Sequence, residues 1–345
     1  MKIRAFITHK KAEHFSDCQD RFSINPDTKS VAVSDGMSQS WQQKIWAQLL
    51  VNTFCSDTDW RPTLESAREL SPIWRKAVEE YIQSLRDTDA KESLIYRNER
   101  NLAEGQSAGA TLVGIRFKAN NWTCNVLGDS CLIAKIGGEY IFGTSQDVEK
   151  FDNNPDYLDS ASNKKGRGTC KRLSEVMSSS NPFVLLVSDP FSDYLLEHKK
   201  IGDIDSLANE LLTINTHDEF EALVAKWRNA GMHNDDSTII IMEYDGADEW
   251  TILHQDDLDV LIQNEQEVTK VPISITKTEE PLPHQQSPIS KEEFCKEFIS
   301  LSENIFSISP LRFLLDNKAK RREKLNLELM NIAEKLYNHF EIRKK

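Results

Sequence analysis

Val31-Ala-Val-Ser-Asp35-Gly36, Phe183-Val-Leu-Leu-Val-Ser-Asp189 and Asn234-Asp235-Asp236-Ser-Thr-Ile-Ile-Ile241 are the stretches that decide how this chain folds. In the first two an apolar strand runs into an aspartate, and in the third the acids lead the strand. Short unbroken apolar runs of this kind read as strands buried on both faces. If their ends meet at one edge of a sheet, carboxylates from distant parts of the sequence are held rigidly together, as a hard cation such as Mg2+ or Mn2+ requires. Taken singly, each aspartate also fits an ordinary strand-to-turn junction, where its side chain bonds nearby backbone.

Working outward, strands are expected over residues 3–8, 21–24 and 31–34. Trp41, Ile45, Trp46, Leu49, Leu50 and Phe54 then recur at helical spacing, with Ser38 or Ser40 as the cap. A second helix is expected over 64–85, with Pro72 in a first turn or a break, and a third over 94–102. Residues 111–117, 122–127, 131–136 and 140–142 read as an antiparallel meander, punctuated by Asn120-Asn121 and Gly137-Gly138. Residues 145–181 are polar and loop-like, as an active-site flap would be. After the strand at 183–188, helices are expected at 203–213 and 217–230, before the last core strand at 237–244. The pattern is an α/β layered domain.

Composition narrows the function. The 345 residues, 39% hydrophobic, hold a substantial core. A net charge of −13 argues against a nucleic-acid partner, since phosphate backbones would be repelled. No run of about 18 apolar residues is present, so no membrane partner is expected, and a cytoplasmic location is the default. Six scattered cysteines without CxxC spacing signal neither a zinc site nor a disulfide framework. The domain reading is a catalytic part over 1–250, a linker over 251–290 around Glu280-Pro-Leu-Pro-His-Gln-Gln-Ser-Pro288, and a helical extension over 291–345. In the extension Leu325, Leu329, Ile332, Leu336 and Phe340 form one face, which fits packing, oligomerisation or docking.

Three further segments lie in order among the strands: Cys18-Gln-Asp20-Arg-Phe22, Gly109-Ala-Thr-Leu112 and Val126-Leu-Gly-Asp129-Ser130. The ordered set, from about residue 1 to 245, resembles the metal-dependent serine/threonine phosphatases of the 2C type, the PPM family, in its bacterial form. The resemblance implies two packed antiparallel β-sheets flanked by α-helices, and hydrolysis of phosphoserine and phosphothreonine in proteins by a water activated between two Mg2+ or Mn2+ ions. By resemblance, Asp35, the carbonyl of Gly36, Asp189 and Asp235 are the metal ligands. Asp20 holds the water, and Asp129 matches the position of a third ion. Its alternative is a tight hairpin turn between the flanking strands.

The chain departs from the family at three places. Phe15 stands where a phosphate-gripping arginine is usual, leaving Lys10 and His14 as nearby cations, and an arginine restored there is expected to lower KM. Pro190 replaces the usual glycine after Asp189, and Met37 stands where eukaryotic relatives have a histidine. The expected partners are a phosphorylated protein and a cognate serine/threonine kinase. A catalytically weak phosphatase-like scaffold that docks through its C-terminal helices is the alternative. No glycine-serine elbow, Cys-x5-Arg loop or Walker loop competes with these readings.

Overall fold

Alternation along the central strands sends neighbouring side chains into different cores. The computed structural model describes residues 1–145, 155–161, 166–178 and 182–270. In β12 (Ser237–Glu243), Ile240 and Met242 enter one buried cluster while Ile239 and Ile241 enter another. β11 (Phe183–Val187) divides in the same way, with Val184 and Leu186 on one side and Leu185 and Val187 on the other. This is why both segments are unbroken apolar runs: each face of the strand is covered.

The first cluster lies between two sheets. One has six strands in the order β13 (Thr251–Gln255), β1 (Lys2–Thr8), β12, β11, β7 (Cys131–Ile136) and β8 (Glu139–Gly143). The other has five: β10 (Lys171–Val176), β6 (Asn121–Leu127), β5 (Leu112–Lys118), β3 (Ser30–Ser34) and β2 (Arg21–Asn25). Pairing is antiparallel except between β1 and β13. A two-stranded piece joins β4 (Gly109–Ala110) to β9 (Leu158–Asp159). On the outer face of the six-stranded sheet, α5 (Asp189–Ile201), α6 (Ile204–Thr213) and α7 (His217–Asn229) bury Phe191, Leu207, Leu211, Phe220 and Trp227. On the other side α1 (Gln43–Ser56) packs Trp46, Leu50 and Phe54 with residues of α2 (Leu64–Glu69) and α3 (Ser71–Asp87), and α4 (Glu92–Ala103) follows. The expected two-sheet α/β architecture is the one observed.

Several sequence expectations change. The meander is divided: β5 and β6 belong to one sheet, β7 and β8 to the other, so Gly128-Asp129-Ser130 is a crossover and the hairpin reading of Asp129 fails. Gly128 takes φ +107, and a Cβ there would meet the Thr111 side chain at 2.6 Å. Neither Ser38 nor Ser40 caps α1; that position is Gln42 in the left-handed region (φ 57, ψ 37), and the Ser40 hydroxyl bonds the Met37 carbonyl and the Gly109 N–H instead. The polar stretch expected to form a flap contributes β9 and β10.

Helix α5 was hidden from the sequence reading. Pro190 falls in its first turn, where the missing N–H is one that no helix partner would accept anyway, so the Ser-Asp-Pro segment starts a helix without losing a bond. The expected linker also begins too early. β13 and α8 (Leu258–Lys270) are ordered parts of a first unit that ends at residue 272. The rest of the expected linker and the helical extension over 291–345, in the second unit (273–345), lie outside the described residues. Among the described residues no helix is long and apolar enough to cross a membrane.

Candidate metal and phosphate site

Each candidate aspartate sits where a regular element starts or stops. Asp20 immediately precedes β2, Asp35 follows β3, Asp129 lies in the β6–β7 crossover, Asp189 is the first residue of α5, and Asp235-Asp236 precede β12. Thr111 fixes Asp35 from both sides: its hydroxyl accepts the Asp35 N–H at 3.2 Å, and its own N–H donates to the Asp35 carbonyl at 2.9 Å. The same hydroxyl lies 2.6 Å from that of Ser130, next to Asp129. The Gly109-Ala-Thr-Leu112 segment therefore ties Asp35 to the Asp129 crossover. Gly36 is equally constrained, because a Cβ there would come within 3.0 Å of the Gln19 carbonyl and 2.9 Å of the Gln43 side chain.

Asp236 is a fastener. Its carboxylate accepts the N–H of Gln19 at 2.7 Å and that of Lys10 at 3.0 Å, holding both ends of the 10–19 loop against β12 and so placing Asp20. Arg228 of α7 reinforces this by donating to the carbonyls of Asp235 (2.6 Å) and His9 (3.1 Å).

The carboxylates act on one another. Burial first, and then the charges of Asp35 and Asp236, push Asp20 well above the usual carboxylate range. Asp35 is raised to about 7, by burial and then by Asp129, Asp235 and Asp236. Asp129 is likewise raised to about 7, by burial and then by Asp193 and Asp20. Asp189 is raised by burial and by Asp35, Asp129, Asp235 and Asp20. Asp35, Asp189 and Asp235 are half-buried with a side open to solvent, whereas Asp20, Asp129 and Asp236 are buried. The sequence-predicted aspartates are thus brought together.

Among the described residues, no three His, Cys, Asp or Glu side chains form a group that could by itself hold a metal ion. A hydrated divalent ion does not need one, since Mg2+ keeps several waters and is held through one or two carboxylates. The donor chemistry fits. Both Asp20 carboxylate oxygens and Asp129 Oδ1 are buried without a hydrogen-bond partner; the Thr238 and Ser188 hydroxyls favour the charged Asp20 without reaching bonding geometry. Buried carboxylates of this kind are costly unless protonated or met by a cation.

The two candidate phosphate cations separate. Lys10 Nζ lies 2.9 Å from Asp235 Oδ1 and 3.4 Å from the Ser38 hydroxyl. Burial pulls its ammonium pKa down, but the hydrogen bond and charge of Asp235 and the charge of Asp236 outweigh this and raise it. His14 instead turns its exposed ring to Glu265 of α8, at 3.0 Å. Phe15 is buried, edge-on to His9 at 4.6 Å between centroids and tilted against His217 at 5.6 Å. An arginine restored there would take a buried place between His9 and His217, so the structure gives no reason to expect a lower KM. Sequence reading also missed Asp193, one turn after Asp189, whose charge reaches Asp129 and is itself offset by His233. The i,i+4 spacing would have shown it once α5 was known.

Two packed sheets with aspartates at their strand ends are the arrangement expected of a metal-dependent protein phosphatase of the 2C type, and the comparison with protein families shows that class. The profile of the protein phosphatase 2C family matches residues 10–229, and the chain belongs to that family. No curated protein matches the chain. Among solved structures, it is similar to the serine/threonine phosphatase Stp1 from Staphylococcus aureus, at 13% identity over 71% of this chain and 95% of that one (TM-score 0.45). PppA, described as a key regulatory component of T6SS in Pseudomonas aeruginosa, is similar at 14% identity over 71% and 99% (TM-score 0.44). The catalytic domain of the serine threonine protein phosphatase PstP, in complex with two manganese ions, is similar at 14% identity over 70% and 96% (TM-score 0.41).

Proposed function

We propose that the chain hydrolyses phosphoserine and phosphothreonine in a phosphoprotein with two Mg2+ or Mn2+ ions held by Asp35, the Gly36 carbonyl, Asp189 and Asp235, and a third ion at Asp129. The observation that carries this reading is the set of buried, partnerless oxygens on Asp20 and Asp129 inside a cluster of mutually repelling carboxylates. Bound there, the cations would supply Lewis acidity toward the phosphoryl group and a water made nucleophilic at neutral pH. Asp20, with two free acceptors, orients the attacking water. Lys10 offers an ammonium to the phosphoryl oxygens in place of the arginine absent at position 15, as a point charge without a bidentate grip.

The same proposal includes a serine/threonine kinase as the activity that supplies the substrate. It also includes a cytoplasmic setting.

The test is the initial rate on an aryl phosphate and on a phosphothreonine peptide with Mn2+, Mg2+ or EDTA. Activity is expected only with a divalent ion. Asp35→Ala, Asp189→Ala and Asp235→Ala should each lose more than the roughly 10–100-fold typical of residues that merely support ligands, and should weaken Mn2+ binding by calorimetry while far-UV dichroism is unchanged. Near-normal turnover in all three would sink the reading.

A further inference from the structure

We infer that a polar groove of about 690 Å3 beside Asp35-Gly36 receives the peptide segment flanking the phosphoresidue, and favours acidic flanking side chains. The inference rests on the phosphatase reading above. The groove begins where the metal site ends: Met37, next in sequence to Gly36, lines it together with Gly109, and the lining continues through the loop before α1 to α4. Its volume is within the ~300–1,000 Å3 of ordinary ligand sites.

The lining chemistry suits a peptide. Gln39, Gln43, Asn101 and Gln106 present carboxamides, each both donor and acceptor, matching the alternating N–H and C=O of an extended backbone. The wall is preformed. Buried Asn98 accepts the indole N–H of Trp41 at 3.1 Å and the Gln42 amide at 2.8 Å, holding Gln42 in a left-handed conformation that a non-glycine residue keeps only when its surroundings impose it. Gly109 leaves no room for a Cβ, which would meet Met37 Sδ at 2.8 Å.

Charge sets the preference. Lys44 and Arg97 line the groove against one carboxylate, Asp159, whose Oδ1 already accepts the Ala161 N–H at 2.7 Å. The Lys44 ammonium already donates to the Ser16 carbonyl at 2.5 Å, which leaves Arg97 as the cation that sets the preference. Arg97 is exposed on α4 and forms no ion pair with a described residue, whereas its neighbours Glu99 and Arg100 pair with Arg86 and Glu104.

The experiment compares glutamate-flanked and lysine-flanked phosphothreonine peptides with para-nitrophenyl phosphate, all with Mn2+. The wild type should favour the glutamate-flanked peptide by roughly tenfold in kcat/KM. Arg97→Glu should erase that preference through KM, with kcat and aryl-phosphate hydrolysis unchanged. Asn101→Trp, which fills the groove, should raise KM for both peptides and again spare the aryl phosphate. Equal use of the two peptides with unmoved KM in both variants, or an equal loss on all three substrates, would overturn the groove assignment and leave the phosphatase reading standing. Failure of the wild type to hydrolyse the aryl phosphate at all would remove that reading, and the groove assignment with it.

Discussion

Lys10 and Phe15 show how a single side chain's surroundings decide its role. The Lys10 ammonium sits on Asp235, a proposed metal ligand, so it both neutralises that carboxylate and competes with a cation for it. Lys10→Met should therefore tighten Mn2+ binding by up to about fivefold, the worth of ~1 kcal/mol for a partly exposed ion pair, while raising KM for an aryl phosphate. Calorimetry and steady-state kinetics separate the two effects, and a variant with weaker Mn2+ binding would show that Lys10 supports the site and does not compete in it. Phe15→Arg has the opposite lesson. The ring is buried between His9 and His217, so the substitution should lower Tm by roughly 5–10 °C and gain nothing in KM. A stable variant with lower KM would mean that the local backbone opens to admit the guanidinium.

At the scale of elements, the junction of β13 and α8 is fastened through one carboxylate. Asp256, buried just after β13, accepts the Ile7 N–H at 2.8 Å, His217 Nδ1 of α7 lies 2.9 Å away and His254 Nε2 2.8 Å away. Burial alone would push His217 down, but its hydrogen bonds to Asp256 and Glu221 and their charges raise it to about 9. A folded pKa above the unfolded value of about 6.5 means stability that is fully present below pH 6.5 and lost as pH rises through about 9. Asp256→Ala should cost about 2–4 kcal/mol, since it strands three groups at once. The same variant should flatten the decline of stability over pH 6.5–9. Denaturant titration across that range tests both, and a variant that kept the full pH dependence would place its origin elsewhere.

At the scale of the whole molecule the carboxylate cluster opposes folding when no cation is bound. Asp35 and Asp129, raised to about 7, carry more protons in the folded chain than in the unfolded one. The sign follows from linkage: with the native state binding more protons, stability falls as pH rises from about 4 to about 7. With EDTA, Tm should therefore decline from pH 5 to pH 8, joined at the alkaline end by the loss at His217. Mn2+ at about 100 times its Kd should add ~2.7 kcal/mol, and one fixed Mn2+ concentration should stabilise more at pH 8 than at pH 5, because the ligands must be ionised to bind. A flat or rising Tm in EDTA over that interval would contradict the clustering of charge.

What the sequence determined by itself was whatever is encoded in short periods: the buried strands ending in Asp35 and Asp189, the acids leading β12, the helices α1, α6 and α7, and through their order the family. These signals are local, because apolar alternation and helical spacing are set by neighbours a few residues apart. The proline that looked like a disrupted loop could be recognised as the first turn of α5 only once Ser188 was placed at the end of a central strand. Likewise, whether Gly128-Asp129-Ser130 turned back within one sheet or crossed to the other depended on which strands β6 and β7 joined, and pairing partners are far away in sequence. The fates of Lys10, on Asp235, and of His14, on Glu265 of an unforeseen helix, were decided by contacts across more than 220 residues. Such long-range geometry comes from closing two sheets over a shared core, and no local period carries it.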